Sequence, residues 1–185
     1  MSILTTALPE EVEICGGKYG IYTDFRRWLD FEQMMRVDSP SERYAGIFKK
    51  YYISLPPKFS EAVYALCRFY AGGNMPQVSK EGSGKRLYSY KQDADLIYCA
   101  FYAQYHIDLE KENMHWWKFL TLFRGLDEKS RLMQIVRLRA MDLNEIKDKN
   151  ERKGIAGLQR KYALCDERST KSKDDDFADK ISMLF

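Results

Sequence analysis

Histidine is nearly absent: His106 and His115 are the only two in 185 residues, and neither stands in a CxxC or HExxH pattern. His106 follows Cys99 by seven residues, which allows a shared helix face, but a metal site needs further donors at a fitting spacing. The reading is a chain with no metal and no cofactor. Cysteine is also sparse. Cys15, Cys67, Cys99 and Cys165 lie far apart in a chain too long to need disulfide staples, so reduced thiols are expected. Cys67 and Cys99 fall within apolar helical runs and are expected to be small core residues. No serine occupies a nucleophile elbow. The carboxylate pairs Asp93 with Asp95 and Glu110 with Glu112 are two residues apart near helix starts, where they point to different faces and are favoured for capping alone. Without convergent groups, no enzyme is expected.

Long apolar runs and strong charge are missing too. No window approaches 18 uninterrupted apolar residues, and MSILTTALPEE lacks the basic start and apolar run of a signal peptide. A soluble protein made in a cytoplasm, with no membrane partner, is expected. The formal net charge of +3 and pI near 8.5 fall short of the balance of a dedicated nucleic-acid binder. Arg137, Arg139, Lys147, Lys149, Arg152, Lys153, Arg160 and Lys161 do cluster, but Asp142, Glu145, Asp148 and Glu151 interleave with them. That spacing describes a solvated surface with i, i+4 pairs, so nucleic acid is not expected as a partner.

What is present is a core-forming composition, 45% hydrophobic and 14% aromatic, in a chain sized for one domain. The expected architecture is mainly α: a bundle of about six or seven helices, a small β-hairpin over residues 11–22 and a flexible tail. Residues 1–165 form the domain, 74–87 a flexible loop, and 166–185 a disordered or weakly docked tail. The hairpin turns on Gly16 and Gly17. Asp24 caps a helix running to about Arg36, and Ser39, Pro40 and Glu42 open another. Pro56 and Pro57 separate that helix from one bearing Phe59, Ala62, Val63, Leu66 and Tyr70, closed by Gly72 and Gly73. Gly82-Ser83-Gly84-Lys85-Arg86 fails as a phosphate-binding loop: the first glycine and the magnesium-binding hydroxyl are wanting, and a helix precedes it where a strand should.

The centre of the chain is Tyr88 to Gly125. Ser89 and Gln92 form a capping box for a helix apolar almost all round, and Asp108 caps a second helix with Trp116, Phe119, Leu120 and Phe123 inward. With only His106 to Asp108 between them, the two are expected to run antiparallel. Asp127 caps a helix bearing Leu132, Ile135 and Val136, and Asp142 with Glu145 opens a more polar one. Met133, Arg137 and Met141 recur at fourfold spacing on a separate face. Such a stripe is more often a second buried face, while flexible thioethers on a surface suit adaptable apolar partners; the three residues are the candidate partner-binding set.

The order DADLIY, FYAQYHIDL, HWWKFLTLFRGL and IVRLRAMDL resembles a family of small phage proteins, the bacteriophage gene-product-fifteen family. The likeness is strongest from Tyr88 to Leu143, weaker from Tyr22 to Gly73, and absent from the tail. It implies a product of the tail module encoded beside the tape-measure protein: a tail assembly chaperone that shields that protein's apolar helices until tail-tube protein replaces it. It further implies a place in the host bacterial cytoplasm and absence from the mature virion. A structural tail or connector component, or a nucleic-acid-binding or host-directed phage protein, are the alternatives, and self-association stays open. The family supplies no catalytic residue.

Overall fold

The structure, a computed structural model, describes residues 5–31, 49–73 and 86–165. The capping box at Ser39, Pro40 and Glu42, the glycine-rich segment 82–85 and the tail 166–185 lie outside the described residues. Two strands, β1 (Glu11–Ile14) and β2 (Gly17–Gly20), pair antiparallel with Ile14 opposite Gly17. The turn is therefore Cys15–Gly16, one residue earlier than expected. Both have positive φ, 52° and 76°, as the two-residue turn that matches strand twist requires. The hairpin does not stand alone. Ile53 N donates to Gly20 O and Tyr22 N to Tyr51 O, so 51–53 extends the pairing on the β2 side.

The helices delimited among the described residues are α1 (Phe25–Leu29), α2 (Phe59–Tyr70), α3 (Ala94–Tyr105), α4 (Trp116–Arg124), α5 (Arg131–Ala140) and α6 (Lys149–Lys161). The fold is mainly α, as expected. Asp24 caps α1 by accepting from Arg26 N, and α1 closes at Leu29 with Asp30 as its C-cap; the expected run from there to Arg36 lies largely outside the described residues. The core is largely aromatic. Trp28, with no solvent exposure, contacts Phe31, Tyr51, Phe69 and Trp116, and Phe119 stacks on Phe25 at 4.9 Å and on Phe101 at 5.1 Å. Burying rings this large requires their polar edges to be answered. Trp28 Nε1 donates to Tyr22 O, Trp116 Nε1 to Tyr70 O and Trp117 Nε1 to Phe69 O. The last two bonds fall on carbonyls of the final turn of α2, where Phe69 O also accepts from Gly72 N.

The inward stripe of α4 is as expected, with Trp116, Phe119, Leu120 and Phe123 all buried. Its start and its direction are not. α4 begins at Trp116, capped by His115 Nδ1 accepting from Trp117 N, while Asp108 accepts from Glu110 N and Tyr98 Oη and pairs with Lys111 without starting a helix. The stretch between is held off the helix. Arg26 Nη2 donates to the carbonyls of Leu109, Glu110 and Glu112, and Phe25 N and Trp116 N bond Met114 O and Thr23 O. Ten residues, 106–115, thus connect α3 to α4 and allow the chain to run back. The C-terminal ends of α3 and α4 meet: Tyr105 Oη donates to Leu122 O, and Gln104 bridges Gly125 O and Asp127 N. A tight antiparallel hairpin, which would set Tyr105 beside Trp116, is excluded.

α3 is not central all round. Ile97, Ala100 and Phe101 are buried, while Tyr98, Cys99, Tyr102 and Ala103 are exposed. Cys99 is thus no core residue, whereas Cys67 packs partly buried against the core, and all four cysteines are free thiols. Burial holds the Cys67 thiol pKa up. At the turn, Cys15 Sγ donates to Glu61, which also raises that thiol. Among the described residues no helix is long and apolar enough to cross a membrane.

Candidate partner-binding surface

α5 organises the outer layer of the fold. Ser130 caps it by accepting from Met133 N; Asp127, the expected cap, instead takes Lys129 N. Leu132, Ile135 and Arg139 are buried on its inward side, at the i, i+3, i+7 spacing of one helix face. Val136 is only partly buried.

Arg139 overturns its reading as part of a solvated basic cluster. Its side chain and that of Asp93 are 6% and 4% exposed, and they meet through two hydrogen bonds, Nη1 to Oδ2 at 2.7 Å and Nη2 to Oδ1 at 2.9 Å. Nη1 also donates to Leu87 O and Nε to Tyr162 O. Asp93 Oδ2 accepts Ser89 N as well. Ser89 Oγ takes Gln92 N, but this pair closes the turn ahead of α3 and does not cap it: α3 begins at Ala94, after Asp93, whose carboxylate reaches back to Ser89 N. The fork geometry suits arginine alone, and one guanidinium ties the start of α3, the loop before it, α5 and the end of α6 together. The signal in the sequence is an arginine on an apolar stripe. Its partner lies 46 residues away, where no local pattern reaches.

α6 sits on α5 differently. It starts at Lys149, capped by Asp148, and not at Asp142, whose carboxylate takes Asn144 N. None of its residues is buried. Polar clasps hold it: Gln159 Nε2 donates to Leu138 O and Met141 O at the frayed end of α5, and Arg131 Nη2 donates to Tyr162 Oη. Its Leu158 is 47% exposed.

Met133, Arg137 and Met141 border this thin cover. Met133 is partly buried against the core, Arg137 is exposed and pairs with Glu128, and Met141 is 46% exposed. Met141 is the C-cap of α5 with extended backbone, φ −58° and ψ 129°, so it leaves the helical line of the other two. The three form an edge graded from core to solvent. Nothing along it offers a nucleophile with an adjacent base, and among the described residues no group of three His, Cys, Asp or Glu side chains could hold a metal ion. What the edge can offer is apolar contact with a flanking charge.

The protein family described as Bacteriophage Gp15 protein matches residues 4–164, the described domain almost in full. The chain belongs to this family. The Gp15 match embraces the hairpin, the aromatic core, the Asp93–Arg139 tie and α6, and stops at the clasped end of the domain. No curated protein and no solved structure matches this Gp15 chain.

Proposed function

We propose that this Gp15-family chain is a non-catalytic phage tail assembly chaperone, which binds apolar helical segments of the tape-measure protein and shields them until tail-tube protein takes their place. Family membership supplies the phage setting. The observation that favours a binding role is the α5–α6 layer: a helix with no buried residue, held by polar clasps, beside an edge where Met133 is partly buried and Met141 is 46% exposed. An apolar helix laid in a groove needs such a strip, with adaptable thioethers and a charge at its rim. An unassembled tape-measure helix exposes a seam that aggregates unless covered. The chain acts in the host cytoplasm and is left out of the finished particle.

Two measurements test this reading. Purified chain should retain tape-measure segments in a pull-down, and Met141→Asp with Arg137→Glu should weaken retention while helicity stays unchanged, since both side chains are exposed. Mass-spectrometric inventory of finished particles should lack the chain. Stoichiometric amounts in the tail would establish a structural component instead.

A further inference from the structure

The outward face of α3 is a poor match to water. Asp95, Tyr98, Cys99, Tyr102 and Ala103 are exposed there, and Asp95 is the single charge among them. A solvated helix face ordinarily carries several charges. The Tyr98 and Tyr102 rings lie nearly parallel, 6.2 Å apart at 11°, and Tyr98 Oη donates to Asp108, which fixes that ring. Beside them the small Cys99 and Ala103 leave a shallow apolar strip.

The chain contains a segment suited to that strip. Cys165 is clasped twice by Gln92, its N–H donating to Gln92 Oε1 and its carbonyl accepting Gln92 Nε2. Gln92 stands two residues ahead of α3, so the described chain ends beside the N-terminal end of the helix that bears the strip. Residues 166–180 read DERSTKSKDDDFADK, a polar spacer, and Ile181, Ser182, Met183, Leu184 and Phe185 follow. All of these lie beyond the 4–164 family match, so they are not part of the shared domain. A random coil of fifteen residues has a root-mean-square span of about 21 Å. Tyr102 lies only about 12 Å along the helix from Ala94 at the α-helical rise. Lys180, directly ahead of Ile181, complements Asp95 in sign.

We propose that the segment Ile181–Phe185 docks in cis on the outward face of α3, covering Tyr98, Cys99 and Tyr102, with the Gln92–Cys165 clasp as its anchor. This contact involves neither Met133, Arg137 nor Met141 and stands apart from tape-measure binding.

Cys99 reports on it directly. Iodoacetamide labelling of the full chain, followed peptide by peptide, is compared with the Leu184→Asp, Phe185→Asp double variant, whose substitutions lie outside the described domain. Cys99 should label about fivefold more slowly in the unsubstituted chain, the protection that a tether-imposed millimolar effective concentration gives a weak apolar contact. Exposed Cys15 should label equally in both, and the Cys99 protection should be independent of protein concentration. Equal Cys99 rates in the two chains would overturn the proposal. Protection that grows with concentration would also overturn it and assign the strip to a second copy.

Discussion

His115 holds two hydrogen bonds that fix its protonation state. Nδ1 must accept from Trp117 N to cap α4, while Nε2 donates to Pro9 O. Protonation turns Nδ1 into a donor and removes the cap. Burial lowers the His115 pKa below its ordinary value, against smaller opposing effects of the Pro9 carbonyl and Glu10. A depressed folded-state pKa means that the unfolded chain binds the proton first. The contribution is therefore fully present above about pH 6.5, the unfolded value, and is lost as pH falls toward the folded pKa. Urea midpoints measured between pH 7 and 5 should fall, and His115→Asn, which keeps a capping acceptor, should flatten that fall. The Asp93–Arg139 pair makes a larger test. Asp93→Asn alone leaves a buried guanidinium without its anion and should cost about 3–5 kcal/mol, with Arg139→Met on top of it recovering part of the loss. Tyr51 Oη is the one buried side-chain polar atom without a hydrogen-bond partner among the described residues, so Tyr51→Phe should be neutral or stabilising in the same assay. Inward apolar residues such as Trp116 and Phe119 were legible because periodicity records burial. Arg139 was not, because its burial depends on a carboxylate brought in from another helix.

At the scale of elements, three expected helix starts failed for one shared reason. Asp108, Asp127 and Asp142 each accept from the backbone N–H two residues on, at 3.1, 2.7 and 2.8 Å, and the helix begins only later. An N-cap and a local Asx turn use the same bond at the same spacing, so an aspartate alone does not separate them. The true caps, His115, Ser130 and Asp148, stand where the backbone is extended and a helix follows. Asp24, whose bond to Arg26 N has the same geometry, does start its helix. Gly73 was legible as a terminator, and its reason is now specific: φ is +83° and a Cβ there would lie 2.8 Å from the Trp117 ring. Gly73→Ala should lower stability by about 2 kcal/mol, read from urea unfolding, because positive φ and the ring both oppose it. α6, clasped by side-chain hydrogen bonds without a buried residue, should exchange its amide hydrogens well ahead of α4. Equal protection of the two helices would mean that α6 is part of the core unit.

For the whole molecule, the family and the mainly helical architecture could be read from the chain, since the same aromatic and aliphatic spacing that builds the core also marks the kinship. The direction of α4 could not. It rests on Arg26 gathering three carbonyls from residues more than 80 positions away, which diverts the chain before α4 begins. The candidate edge was partly legible: Met133 and Arg137 share a helix, but Met141 stands beyond its end. A charge at Met133 would disturb the core on which that side chain packs, so Met141 and Arg137 are the positions that probe binding. In the proposed role the domain keeps a tape-measure protein in solution. The direct measurement is the soluble fraction of that protein expressed with and without this chain at matched levels. The tape-measure protein should move into the soluble fraction and copurify with the chain. A tape-measure protein that remains insoluble and uncomplexed in its presence would contradict it.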